Sequence, residues 1–141
     1  MIKRPLVSVT ALLAACSTTP PPSWPHPLAG SAWQRSDDAD AGPHFPTMAF
    51  VTDTASGFAG CNTWSATITG DDHALRFGQA ATTRIMCPPS SMQTERNFLP
   101  VLEHTRSYVL RRTELTLLDG DGIEIARFTC ADQDCPHPPT N

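Results

Sequence analysis

Cysteines are the side chains of this 141-residue sequence whose type and spacing could support chemistry, and after residue 16 there are four, Cys61, Cys87, Cys130 and Cys135. A free thiol could act as a nucleophile, but a catalytic thiol needs a neighbouring base. None of the five histidines forms a recognisable sequence signature with Cys61. The cysteines could instead form disulfides, and the choice depends on the redox compartment.

A metal site is the second alternative for the cysteines near the C-terminus. Cys130 and Cys135 enclose the residues ADQD, and His137 follows closely. His26 lies in a Pro-His-Pro sequence that matches the one around His137. Thiolate and imidazole are the ligands that transition metals prefer. A metal-handling role for the two ends of the chain is therefore one hypothesis, and a local Cys130–Cys135 disulfide is the simpler one.

The N-terminus, MIKRPLVSVTALLAAC, has the layout of a secretory signal. Two positive residues, Lys3 and Arg4, precede a short apolar stretch and small residues. That stretch is about half of the ~20 residues that a membrane-spanning helix needs. The sequence LAAC resembles the bacterial lipobox, which predicts a signal peptide over residues 1–15 and lipidation of Cys16. Ser17 follows, which by the usual sorting rule favours the outer membrane and a domain that faces the periplasm.

Export places the remaining cysteines in an oxidising compartment, which favours two disulfides. Cys87 ends a strand-like run just before Pro88, so a Cys61–Cys87 bridge would tie one strand to the junction with the next element. Cys130 and Cys135 are then left to pair with each other. No cofactor and no metal is expected in this interpretation.

Charge limits the classes of partner. The whole chain has ten basic and fourteen acidic residues, a net charge of −4. Without Lys3 and Arg4 the balance is 8 − 14 = −6. An acidic chain without a basic run argues against binding to nucleic acid. The expected partners are the membrane, through the lipid anchor, and a protein of the cell envelope.

Proline-rich ends define the expected domain organisation. Residues 16–28 include STTPPPSWPHPL and are predicted to be an extended tether. Residues 130–141 end in CPHPPTN and are predicted to be a similar tail. A single domain is expected over residues 29–129, which is long enough for a modest core.

Apolar residues in this body alternate mostly with a period of two, which predicts short strands with one apolar face. The clearest runs are TMAFVTD, NTWSATI, ALRFG, SYVLRR, ELTLLD and IEIARF. Turn signals separate them at DTASG (53–57), GDDH (70–73) and DGDG (119–122). Trp33 and Trp64 occupy strand-like positions and are expected in the core.

One segment, PPSSMQTERNFLPVLEH, has helical spacing instead. Ser90 with Gln93 fits a capping box. Pro100 removes the hydrogen bond to the carbonyl of Arg96, so the helix is predicted to kink or end there. The predicted fold class is predominantly antiparallel β with one packed α-helix.

The motifs together resemble the META domain of HslJ-type envelope proteins and many bacterial lipoproteins. The residues that carry the resemblance span about 28–128: Trp33, Gly60-Cys61-Asn62, ATTR at 81–84, Met86-Cys87-Pro88, the FLPVLE helix, Tyr108 and LTLLDGDG. This resemblance implies an antiparallel, β-rich α+β fold and a loose association with envelope stress. It implies no reaction and no catalytic residues.

The sequence thus favours an envelope lipoprotein that acts by binding or by structural support, without enzymatic activity. Two other classes stay open. One is the metal-handling lipoprotein described above, and the other is an enzyme whose site assembles only in the folded protein. A concave pocket with convergent polar groups would favour the enzyme.

Overall fold

The computed structural model describes residues 26–38, 44–131 and 135. They form nine strands and one helix in the order β1 (Ala32–Arg35), β2 (Thr47–Val51), β3 (Thr54–Phe58), β4 (Thr63–Gly70), β5 (Leu75–Phe77), β6 (Ala81–Thr82), α1 (Pro89–His104), β7 (Ser107–Arg111), β8 (Glu114–Leu118) and β9 (Glu124–Cys130). The strands pair antiparallel in the sheet order β5-β4-β3-β2-β1-β9-β8-β7, and β6 also pairs with β4. The predicted fold class, antiparallel β with one helix, is confirmed.

The sheet curls until its two edges, β5 and β7, nearly meet. Ala74 and Ser107 form a β-bridge between them. The main-chain N–H of Leu75 donates to the carbonyl of Arg106 over 3.1 Å. The sheet is therefore a nearly closed barrel, and the line where β5 meets β7 is called the seam below.

Alternation along the strands fills the barrel as predicted. In β4 the buried residues are Trp64, Ala66 and Ile68, and the residues between them are exposed. Trp33 is completely buried and Trp64 nearly so, which confirms both as core residues. Phe98 of α1 packs 5.7 Å from Trp64 between ring centroids. The core therefore joins the helix to the sheet.

The predicted turn at 53–57 is wrong for most of its length. Thr54–Phe58 is strand β3, and only Thr52 and Asp53 turn the chain, with Thr52 at a φ of 54°. Glycine and serine suggested a loop, but Gly57 has a packing role. A Cβ at Gly57 would lie 2.1 Å from the carbonyl oxygen of Thr47. Tertiary packing therefore overrides the local turn signal.

Two predictions about the helix are wrong, the end at Pro100 and the capping box, whereas the kink at Pro100 stays a prediction. The helix continues through Pro100 to His104, so it does not end at the proline. Pro100 and Arg96 are both exposed, and water can bond the carbonyl that the proline leaves without a donor. The capping box is also absent: Pro88 is the N-cap and no side chain caps the helix. Gln93 instead donates to Asn97 over 2.8 Å.

The folded body begins earlier than predicted. His26 and Leu28, assigned to the tether, are buried, and Leu28 belongs to the hydrophobic core. At the other end, Cys130 is the last residue of β9, so the strand reaches the residue predicted to start the tail. The predicted signal peptide, Cys16, tether residues 16–25 and most of the tail lie outside the described residues. No helix in the described part of the chain is long and apolar enough to span a membrane.

Candidate functional site

Both predicted disulfides are present. Cys61 is bonded to Cys87, with their Cα atoms 5.8 Å apart. Cys130 is bonded to Cys135. The first bridge ties the start of β4 to the residues that precede α1. Neither cysteine of that bridge is a free thiol, so the pair offers no nucleophile in this state.

Gly60 determines how the chain enters this bridge. It has a φ of 116°, in the region that favours glycine. A Cβ there would lie 2.7 Å from the Thr94 side chain of α1. Unbroken strand alternation predicts Cys61 and Asn62 on opposite faces, but both are buried. The backbone conformation at Gly60 and its close approach to α1 explain why the alternation fails here.

The side chain of Asn62 is the centre of a buried polar network. Its Oδ1 accepts hydrogen bonds from the Ile85 main-chain N–H (2.6 Å) and the Thr83 hydroxyl (3.0 Å). Its Nδ2 donates to Glu95 Oε1 over 3.1 Å. The main-chain N–H of Asn62 donates to Glu95 Oε2 over 2.6 Å. One asparagine thus connects loop 83–87, the start of β4 and helix α1.

This network was missed by the sequence analysis. Glu95 counted only as one position of a helical pattern, and Asn62 only as part of the Gly60-Cys61-Asn62 motif. No local pattern relates residues 33 positions apart. The available signal was chemical: a carboxylate and an amide, each near one end of a predicted disulfide, can satisfy one another when buried.

Loop 83–87 carries two large apolar side chains into solvent. Met86 is 88% exposed and Ile85 is 62% exposed. Arg84, beside them, is also exposed and makes no ion pair with the described residues. The loop is fixed at Cys87 by the disulfide and at Ile85 by Asn62. We call Arg84, Ile85 and Met86 the exposed tip.

A groove of about 730 Å³ lies beside this loop on the outer face of the sheet. Strands β2, β3, β4 and β6 form its floor, and none of its lining residues is charged. Hydroxyl side chains dominate the lining, which comprises Thr47, Ser56, Gly57, Phe58, Thr63, Trp64, Ser65, Ala81, Thr82 and Thr83. Thr83 belongs to both the groove and the Asn62 network, so the network fixes one wall of the groove.

A second polar cluster lies at the seam, around His26. Its Nε2 is 3.3 Å from the carbonyl oxygen of Ala74, and its Nδ1 accepts from the Leu28 N–H over 3.3 Å. The ring lies 5.5 Å from Tyr108 and stacks at 6.4 Å on Phe50. Burial lowers the pKa of His26, and the hydrogen bond to Ala74 opposes this only in part.

Tyr108 and Asp71 complete this cluster. Burial raises the pKa of Tyr108 to about 12, and the negative charge of nearby Asp72 and Asp71 adds to the effect. The phenol donates to the carbonyl oxygen of Asp71 over 3.3 Å. Hydrogen bonds from the N–H groups of Ala74 and His73 lower the pKa of the Asp71 carboxyl. These groups hold the turn between β4 and β5 against β7.

The geometry does not favour the metal hypothesis. Both ring nitrogens of His26 are engaged, and Cys130 and Cys135 are bonded to each other. His137 lies outside the described residues. Within residues 26–38, 44–131 and 135, no three His, Cys, Asp or Glu side chains are grouped to hold a metal ion.

Comparison with known proteins gives a family and a fold. The family model described as "META domain" matches residues 26–132, most of the chain, and it begins at the same buried His26. None of the curated proteins compared is significantly similar to the chain.

Two solved structures share the fold. The NMR structure of a protein from Burkholderia xenovorans has 24% identity and a TM-score of 0.59, over 94% of this chain and all of that one. A second NMR structure has 19% identity and a TM-score of 0.59, over 76% of this chain and 94% of that one. Both agree with the family match, and the chain belongs to the META domain family.

Proposed function

We propose that this chain is a cell-envelope lipoprotein, anchored through Cys16, whose META domain binds an envelope protein through the exposed tip. It acts by binding and not by catalysis. The observation that carries the proposal is the fixed position of the exposed tip. Its partner is a protein surface with an apolar recess for Ile85 and Met86 and a carboxylate for Arg84.

The exposed tip is costly to keep in water. Two large apolar side chains in solvent lose the stabilisation that burial would bring, about 25 cal/mol per Å². A disulfide and a buried amide network hold the loop in this conformation, and such restraint reduces the ordering cost of binding. Exposed apolar residues on a fixed loop are typical of a contact surface.

Support for the envelope comes from the sequence. The signal-like N-terminus with its LAAC sequence motivates lipidation of Cys16, and two disulfides suit an oxidising compartment. An envelope-stress role is implied only by the family resemblance.

The position of the exposed tip favours a protein partner over the bilayer. The family match begins at His26, which contacts Ala74 just beyond the Gly70 end of β4. Loop 83–87 borders the Thr63 end of that strand. Eight residues of strand separate these ends by about 23 Å. The tip is therefore at the opposite end of β4 from His26, which supports a protein partner over the bilayer for an anchor on the N-terminal side of His26.

The anchor is tested by mass spectrometry of the mature protein. An acylated Cys16 at the new N-terminus is expected, and Cys16→Ala should prevent lipidation without unfolding the domain. Cleavage at another site, or an unmodified Cys16, contradicts the lipoprotein assignment.

The contact surface is tested by site-specific photo-crosslinking in the native envelope, with the probe placed at Ala81, an exposed residue of the adjacent groove. Met86→Asp should abolish the crosslinked band. Ile123→Asp is the matched control, because Ile123 is also in a loop and is 60% exposed. A band that survives Met86→Asp, or is lost equally with Ile123→Asp, contradicts the proposed surface.

A further inference from the structure

His26 fixes the first residues of the domain to the barrel. Residues 26–31 form a turn, called the N-terminal turn below. Leu28 is completely buried within it, and the Gly30 N–H donates to the carbonyl of Phe50 over 2.7 Å. His26 is only 9% exposed. The contact of its ring with Ala74 and Tyr108 at the seam is called the junction below.

The two hydrogen bonds of the His26 ring require its neutral form. Nδ1 faces the Leu28 N–H and must accept, so it carries no hydrogen. Nε2 faces the carbonyl of Ala74 and must carry the hydrogen. Protonation at Nδ1 would place a second donor against the Leu28 N–H. The ring would then lose that bond and bring a positive charge between Phe50 and Tyr108.

The groups around His26 decide whether its pKa is raised or lowered. On the turn before β5, Asp71 and Asp72 favour the protonated ring, and on β7 the phenol of Tyr108 is uncharged below pH 10. Strand β2 contributes only the ring of Phe50. Burial outweighs the two carboxylates, so the pKa of His26 stays below its usual value. The neutral ring is favoured when the junction is closed, and acid favours the open one.

We propose that neutral His26 closes the junction at the seam and that its protonation in acid detaches the start of the N-terminal turn. The detachment is local, because buried Leu28 and the Gly30–Phe50 bond still hold the rest of the turn. The Ser31 hydroxyl also remains bonded to the Trp33 indole N–H, at 2.7 Å. This pH-sensitive junction is independent of the exposed tip and of any partner there.

The test uses NMR on the full chain in detergent. Imidazole ¹⁵N shifts of His26 should show an unprotonated Nδ1 and a protonated Nε2 at pH 7.5, and the ring should titrate below pH 6.5. The protection factor of the Leu28 amide against hydrogen exchange should fall as pH decreases from about 6.5, the ordinary pKa of histidine, to the lowered pKa of His26. The fall should be at most about tenfold per pH unit and should level off below that lowered pKa, as expected for an opening linked to one proton.

Two variants complete the test. His26→Phe keeps an uncharged ring at the seam and should make Leu28 protection independent of pH. His73→Asn removes an exposed, titratable ring on the neighbouring turn and should leave the pH dependence unchanged. The wild-type titration decides the matter even if His26→Phe does not fold. Titration of His26 at or above pH 6.5, a hydrogen on Nδ1, or Leu28 protection that does not change with pH would each overturn the proposal.

Discussion

The loop that carries the exposed tip and the His26 cluster at the seam are held in place by different means. At the exposed tip, a disulfide and the Asn62 network fix the loop, and both cross between elements that are distant in sequence. At the seam, a histidine and a tyrosine make weaker bonds of 3.3 Å to main-chain groups. The first region is covalently fixed, whereas the second depends on two rings staying uncharged.

Because of this difference, the two regions should respond to different changes of solution conditions. Reduction should act at the exposed tip, and changes of pH should act at the seam. Helix α1 connects the two regions. Glu95, in the first half of the helix, accepts a hydrogen bond from Asn62. Arg106, two residues after the helix ends, accepts one from the Leu75 N–H at the seam through its main-chain carbonyl. The following four predictions test whether the regions are independent.

Removal of the Cys61–Cys87 bridge should have the largest effect. The Cys61→Ala/Cys87→Ala variant should lose about 3.5 kcal/mol of unfolding free energy, because the bridge closes a loop of 26 positions. Cys130→Ala/Cys135→Ala is the matched control and should lose about 2 kcal/mol, since its loop spans five. Urea unfolding measures both. Equal losses would show that loop 83–87 is not fixed chiefly by its disulfide.

Alkali should destabilise the seam next. Tyr108 is neutral when buried, so its stabilisation is complete below pH 10 and is lost as pH rises from about 10 through about 12. The loss is at most about 3 kcal/mol. Tyr108 is the only tyrosine of the chain, so absorbance at 295 nm follows it directly. A midpoint near 10 in the folded protein would contradict the burial argument, and Tyr108→Phe should remove the effect on stability.

Loss of the Asn62 side chain should follow in size. Asn62→Ala leaves Glu95 Oε1 and the Ile85 N–H without the partners that Asn62 provides, and should cost about 2 kcal/mol. Asn97→Ala is the control, because Asn97 bonds only Gln93 on the exposed face of α1. It should cost less than about 0.5 kcal/mol. If the two variants lose the same free energy of unfolding, the buried network stabilises the domain no more than an exposed hydrogen bond does.

Pro100→Ala should have the smallest effect, a gain of about 1 kcal/mol, because alanine restores the hydrogen bond to the Arg96 carbonyl. Thermal unfolding measures the gain. The Leu28 amide and the Ile85 amide should keep their wild-type protection. A loss of stability would mean that the packing around α1 is built on the proline, and changed protection at either amide would show that the helix couples the two regions.

The sequence alone determined the class of fold and much of the core. Period-two alternation in β4 placed Trp64, Ala66 and Ile68 inside, because neighbouring side chains of a strand point to opposite faces. Cysteine spacing and the signal-like N-terminus, which suggests export, predicted both bridges. These features depend on local geometry or on composition, which are present in the sequence itself.

Tertiary structure decided the rest. The turn signal at 53–57 yielded to strand pairing around Gly57, and the helix continued past Pro100 because its freed carbonyl faces solvent. His26 and Leu28 look like part of a proline-rich tether, yet they complete the seam, since only the closed barrel provides a buried surface for them. Asn62 and Glu95 meet for the same reason: a hydrogen bond across 33 positions exists only after the fold brings the two side chains together, and burial then makes it necessary.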